Sequence, residues 1–160
     1  MISPTLEQRL APRNLGVTHP VMYQRWSDLL FLHWRWDCED LQKRLPPGLF
    51  IDRYENEAWL GIVPFLMKRV RPRFLPALPW LSWFQELNVR TYVYDENGVP
   101  GVWFFSLDCN QSLAVYLAQT LFSLPYSNAE MSCRMDRDRR LHYECKRRGE
   151  RGVITICLSI

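Results

Sequence analysis

Nothing in the sequence spaces cysteines or histidines as metal ligands. The five cysteines, Cys38, Cys109, Cys133, Cys145 and Cys157, are odd in number and widely spread, and no C-x-x-C occurs. His19, His33 and His142 show no ligand spacing, which a local zinc motif requires. The sequence reads as a cytosolic protein with buried, reduced thiols, no metal and no cofactor. Long apolar runs are also missing. Leu29–Leu32 and Gly61–Met67 fall far short of the roughly 20 residues a membrane helix needs. Residues 1–13 lack the charged-then-apolar layout of a leader peptide. A cytoplasmic location without a membrane partner is expected.

Charge of one sign is lacking too. Twenty Lys and Arg face 17 Asp and Glu, a formal net charge of +3, too even to argue for nucleic acid. The basic stretches Lys68-Arg69 with Arg71 and Arg73, Arg137–Arg140, and Lys146–Arg151 fall at strand ends or turns and read as solvated charge. No recognition-module motif supports a single-strand RNA surface. Repeats, linkers and low-complexity tracts are absent.

What is present is apolar and aromatic. The 160 residues are 48% hydrophobic and include seven Trp, enough for one domain with a sizeable core and wide rings to line it. Residues 1–20 hold Pro4, Pro12 and Pro20 and read as an N-terminal arm, with a single domain over 21–160. Leu29–Trp36 reads as a strand with Phe31, His33 and Arg35 on one face. Asp37 is a helix N-cap with Glu39 and Asp40 in the first turn, and Pro46-Pro47-Gly48 stops that short helix. Leu49–Tyr54 and Glu57–Met67 suggest a hairpin turning at Glu55-Asn56, with Pro64 demoting the second strand to an edge or a bulge. Pro72, Pro76 and Pro79 make the stretch from Arg71 to Phe84 an irregular loop. Its apolar content fits either packing against the sheet or a binding loop.

Glu86–Asp95 alternates, with Glu86, Asn88, Arg90, Tyr92 and Tyr94 on one face and Leu87, Val89, Thr91 and Val93 on the other. Asp95–Gly98 turns the chain into a return strand, Gly101–Asp108. Asn110 is positioned to cap a helix over 111–122, with Leu113, Leu117 and Leu121 on one stripe and Leu124-Pro125-Tyr126 at its end. Strands Ala129–Met135, Leu141–Arg147 and Val153–Ile160 follow. The class is α+β: a mainly antiparallel sheet forming a partly closed barrel with two short helices. Val153–Ile160 is apolar to the last residue. An edge strand is normally blunted or covered, so pairing with a missing C-terminal segment or with another chain is expected there.

Glu86, Asn88, Arg90 and Tyr92 make the best constellation. They read either as a polar ladder lining the interior or as a solvent-facing side with an ordinary Glu–Arg pair. In the first case Arg90 offers forked donors to a carboxylate, and burial would raise Glu86 into the range of a general acid or base. His33 reads as a hydrogen-bonded core histidine or as a ligand contact. Ser106 and Asp108 share a strand face, with no G-x-S-x-G signature of a nucleophilic serine.

Several stretches resemble the YqjF-like family of uncharacterised proteins. They are Trp26-x-x-Leu29-Leu30-Phe31-Leu32-His33-Trp34, Leu45-Pro46-Pro47-Gly48-Leu49, Ala58-Trp59 with Val63-Pro64-Phe65, Glu86–Val93, Gly101–Asp108 and Leu124-Pro125-Tyr126. The set spans about residues 22–131, and family members usually continue past the point where this chain stops. The resemblance implies a fold like acetoacetate decarboxylase, an antiparallel barrel around a polar pocket. There a lysine after a helix-ending proline forms a Schiff base with a keto acid, and a second lysine beside it lowers its pKa. The matching place here reads Pro125-Tyr126-Ser127, and Lys43, Lys68 and Lys146 are the only lysines. A phenol forms no imine, so the resemblance implies loss of Schiff-base decarboxylation. A pocket glutamate of the decarboxylases matches Glu86, and the strand-ending aspartate matches Asp108.

Three functions follow as expectations. One is a non-decarboxylating enzyme on a carboxylate- or carbonyl-bearing metabolite, with Glu86 and Tyr126 as acid/base groups and Arg90, Asn88, Tyr92, His33 and Ser106 as ligand contacts. Another is a non-catalytic ligand-binding or sensor domain with the same pocket. The last is an interaction module, self-associating or pairing through Val153–Ile160.

Overall fold

The computed structural model describes residues 4–14, 16 and 19–159. Sheet dominates: among the described residues nine strands accompany three α-helices and one 3-10 turn. The strands are β1 Met22–Ser27, β2 Leu32–Trp36, β3 Leu49–Ile51, β4 Ala58–Pro72, β5 Phe84–Asp95, β6 Pro100–Cys109, β7 Tyr126–Met135, β8 Arg140–Arg147 and β9 Ile154–Ser159. The helices are α1 Leu6–Leu10, α2 Cys38–Lys43 and α3 Ser112–Phe122. Strand order runs β1-β4-β5-β6-β7-β8-β9, with β2 also on β4 and β3 also on β5. Among the described residues this path does not return on itself, so barrel closure is not among the pairings.

The residues form two compact units, the first from Met1–Pro20, Phe31–Ile62 and Val89–Phe105, the second from Val21–Leu30, Val63–Asn88 and Ser106–Ile160. In the first unit, α1 carries a full capping box between Thr5 and Gln8, which satisfies two backbone donors that a helix start leaves unpaired. The N-terminal residues are therefore partly helical, and Arg9 makes a forked ion pair with Asp52. Asp37 caps α2 as expected, accepting from the Asp40 amide at 2.7 Å. Leu41, Ile51 and Ala58 form the core here, with Leu45, Leu60 and Phe105 packed against them.

The expected hairpin at Glu55-Asn56 is only partly formed. Both residues take left-handed φ, 54° and 64°, and Tyr54 and Glu57 bridge across them. Beyond that bridge the strands part. β3 pairs with β5 at Leu49↔Asp95 through Ile51↔Val93, while β4 takes β2, at Leu32↔Ile62 through Trp36↔Ala58.

The single strand expected over Leu29–Trp36 begins later, at Leu32, and β1 precedes it. Asp28, at φ 54°, breaks the extended run. Pro64 does not place β4 at an edge. It lies between the last β4 partner of β2, Ile62, and the first of β1, Leu66, where no ladder donor is needed, and its carbonyl accepts from Leu30.

In the second unit Val63, Phe65, Met67, Phe84, Cys109 and Val115 form the core. The proline-rich loop turns back on Leu78, whose amide donates to the buried Ser82 hydroxyl at 2.9 Å. Phe74 and Trp80 stay exposed, so most of the loop's rings do not pack inward. Asn110 does not cap α3. Its Oδ1 accepts from the Gln85 amide at 2.8 Å, and Gln111 takes the cap instead. Leu113 and Leu117, expected on the packed stripe, are exposed, and the side chain of Leu121 lies outside the described residues. The buried face of α3 is instead set by Val115 and Ala114.

β7 starts three residues earlier than expected, at Tyr126. Leu107↔Tyr126, Asp108↔Ser127 and Cys109↔Asn128 run parallel, because α3 returns the chain beside the last three residues of β6 and β7 leaves in the same direction. The sheet is therefore mixed. β7, β8 and β9 continue as an antiparallel meander. The terminal Ile160 lies outside the described residues.

Candidate functional site

Glu86 sits on β5 and Tyr126 opens β7, with β6 between them. Strands two apart in a sheet are about 10 Å apart at the backbone, a gap that a glutamate and a tyrosine on one face can close. They do: the Tyr126 hydroxyl donates to Glu86 Oε2 at 3.0 Å. Glu86 is 3% exposed. Burial pushes its carboxyl up to about 7, against the opposing effect of the Tyr126 hydrogen bond, since removal from water penalises the charged form. Burial and the neighbouring carboxylate push the Tyr126 phenol far above the ordinary tyrosine range. Near neutrality the pair thus holds one carboxyl poised between its two forms and one phenol that stays protonated.

Tyr143 and Cys109 surround this pair. The Tyr143 hydroxyl donates to the backbone carbonyl of Glu86 at 3.2 Å. Burial pushes the Cys109 thiol up to about 12, so it remains a thiol and offers no nucleophilic thiolate. Asn88, two residues along from Glu86, is also buried, and among the described residues its Oδ1 has no hydrogen-bond partner. The solvent-facing alternative for Glu86 and Asn88 is thereby removed.

Three other candidates meet in the first unit. His33 Nε2 lies 2.7 Å from the Tyr92 hydroxyl, and Arg90 Nη2 donates to the same oxygen at 3.4 Å. The Arg90 guanidinium lies 5.3 Å from the Phe31 ring centre and 5.7 Å from that of Tyr92. His33 is exposed rather than a core residue. Desolvation and the charge of Arg90 hold its imidazole below the usual histidine range. Gly61 makes room: a Cβ there would come within 3.3 Å of the His33 ring. Ser106 is half-buried on β6, and no hydrogen bond among the described residues joins it to the other candidates.

Two residues carry more than the sequence reading assigned them. Arg147, taken as solvated turn charge, donates through Nε to Asp108 at 2.8 Å, and Asp108 is 2% exposed. Tyr143, Cys145 and Arg147 alternate along β8 with Tyr143 and Cys145 buried, so the period-two pattern was the available signal. Of the thiols, Cys109 and Cys145 are buried, whereas Cys133 and Cys157 are exposed, against the expectation for all five. A shallow charged depression of about 220 Å³ is lined by Glu130, Lys146, Arg147, Arg148, Gly149 and Glu150, and neither Glu86 nor Tyr126 borders it. Among the described residues no group of three or more His, Cys, Asp or Glu side chains is arranged to hold a metal ion, and no helix is long and apolar enough to cross a membrane.

Comparison with known proteins places this geometry in context. Residues 23–157 match the DUF2071 family, described as an uncharacterized conserved protein. The uncharacterized protein YqjF of Bacillus subtilis (strain 168) is 38% identical over 148 residues, covering 91% of this chain and 60% of that protein. The chain therefore spans about three fifths of that relative's length. Among solved structures, an acetoacetate decarboxylase-like enzyme from Sphingomonas wittichii RW1 is similar at a TM-score of 0.63 and 15% identity, over 81% of this chain and 54% of that one. The enduracididine biosynthesis enzyme MppR, complexed with the condensation product of pyruvate and imidazole 4-carboxaldehyde, is similar at 0.64 and 14% identity, over 90% and 58%. At these identities the likeness is one of fold. The sequence matches carry the assignment: the chain belongs to the DUF2071 family, together with YqjF.

Proposed function

We propose that the chain binds a small carbonyl- or carboxylate-bearing metabolite and moves a proton on it without forming a Schiff base. The observation that carries this reading is the Tyr126–Glu86 hydrogen bond around a carboxyl raised to about 7. A base is most effective when its pKa lies near the working pH. As carboxylate, Glu86 takes a proton from the carbon beside the carbonyl. The C–H electron pair becomes the C=C bond of the enolate as the carbonyl π pair moves onto oxygen, and the Tyr126 O–H turns from Glu86 to hydrogen-bond that oxygen. Return of the proton from Glu86 closes the cycle. The enclosed pocket implied by the family resemblance and the partly closed barrel belong to this proposal, as does a cytoplasmic setting. MppR, a fold neighbour bound to a pyruvate-derived condensation product, makes 2-oxo acids reasonable first probes.

The test is Glu86→Gln against a panel of 2-oxo acids, 3-oxo acids, aromatic acids and lactones. An enzyme loses turnover and keeps binding. A sensor changes only in affinity, and that outcome transfers the reading to a non-catalytic ligand-binding domain. A further reading rests on β9, which among the described residues pairs with β8 alone. An open strand edge accepts another strand, and concentration-dependent self-association in size exclusion, lost with a Thr155→Pro variant, is its test.

A further inference from the structure

A half-buried guanidinium needs a counter-charge, and among the described residues Arg90 has none. No carboxylate lies within ion-pair distance among the described residues. Among the described residues its Nε is buried without an acceptor, Nη1 has no hydrogen-bond partner, and Nη2 makes one long bond to the Tyr92 oxygen. Leaving a charge partly desolvated and unpaired is costly, and the rings of Phe31 and Tyr92 offset only part of that. Both terminal nitrogens remain able to receive an acceptor.

We propose that Arg90, Tyr92 and His33 form a binding site for a small monocarboxylate, whose binding is coupled to protonation of His33. The inference does not rest on the Glu86–Tyr126 reading. The donor count selects the ligand class. One planar fork and one phenol present three donors and a single positive charge, which suits a planar monoanion better than a tetrahedral dianion. Phe31 is 53% exposed beside them and supplies an apolar wall for the body of the acid.

The proton coupling follows from the hydrogen-bond directions. Tyr92 Oη accepts from Arg90 and lies 2.7 Å from His33 Nε2, so it can donate its own proton to that nitrogen whenever the imidazole is neutral with its proton on Nδ1. The charged group acting on His33 is Arg90. From β4 the ring meets Gly61, which brings no charge. A bound carboxylate cancels the repulsion from Arg90, and His33 takes up a proton. Its Nε2–H then donates to Tyr92 Oη, and the phenol proton turns to the carboxylate.

The experiment follows the His33 Cε1–H resonance of the full chain through pH titrations, alone and with benzoate, pyruvate, acetate or inorganic phosphate. A carboxylate is expected to raise the midpoint of His33, and its affinity to increase as pH falls, by about tenfold for each unit of midpoint shift. Arg90→Gln is expected to abolish binding. Tyr92→Phe, which keeps the ring that packs against His33, is expected to bind more weakly and to show a smaller midpoint shift, since the hydroxyl that joins the two groups is gone while the charge of Arg90 remains. A carboxylate that binds equally well to Arg90→Gln overturns the site. So does a His33 midpoint unmoved by every acid up to tens of millimolar. If phosphate alone shifts the midpoint, the monocarboxylate assignment is wrong.

Discussion

Tyr126 and Glu86, forty residues apart in sequence, are joined by a 3.0 Å hydrogen bond across the strand between them. The bond favours the carboxylate, whereas burial favours the acid, and burial wins. Removing the phenol proton in Tyr126→Phe takes away the opposing effect. The Glu86 midpoint is expected to rise above about 7, which carbon-13 detection of the glutamate carboxyl reads directly. A midpoint that falls in this variant contradicts the assignment of causes.

The same raised midpoint makes Glu86 a source of pH-dependent stability. The folded state prefers the protonated form, so the contribution is complete below pH 4.5 and is lost as pH rises through about 7. Glu86→Gln removes that loss. The variant is expected to gain on the wild type between those two values and to lead it at higher pH by at most about 3 kcal/mol. Urea titrations at pH 4, 6 and 8 measure it, and a constant offset between the two proteins speaks against a titrating Glu86.

Arg147 holds the buried Asp108, and its own side chain is 30% exposed. Arg147→Leu strands a carboxylate away from water and is expected to cost about 2 kcal/mol, discounted for the exposed side of the pair. Asp108→Asn leaves a guanidinium that reaches solvent and is expected to cost less. The reverse order in thermal or urea unfolding contradicts the pairing.

The left-handed turn at Glu55-Asn56 is occupied by residues that tolerate it poorly or moderately. Replacing both with Asn-Gly suits the observed φ values and is expected to stabilise the protein by about 1 kcal/mol. A loss of stability implies that the turn has a different geometry.

Much of the local structure was legible in the sequence because its signals are local. Asp37 capping α2, the alternation of β5 and the turn residues Glu55-Asn56 all carry their physics within a few positions. What escaped reading depends on distant partners. Asn110 is a good cap in isolation but bonds Gln85, twenty-five residues away. The parallel pairing that puts Tyr126 on a strand depends on where α3 delivers the chain, which no periodicity within 126–135 records. Arg147 lies in a run of charges whose composition says solvent, and only the buried Asp108 opposite it says otherwise. Within the candidate residues, the alternation grouped Glu86 with Arg90. The hydrogen bonds group Glu86 with Tyr126, and Arg90 with Tyr92 and His33.

The most direct test of the account is α-proton exchange. The wild type and Glu86→Gln are incubated with 2-oxo and 3-oxo acids in deuterated water, and loss of the proton signal beside the carbonyl is followed by NMR from pH 5 to 9. The account predicts catalysed exchange of at least one acid, with a rate that rises through about pH 7 as Glu86 ionises and that Glu86→Gln abolishes while binding persists. Exchange at the wild-type rate in Glu86→Gln, or no catalysed exchange of any acid that binds, contradicts it.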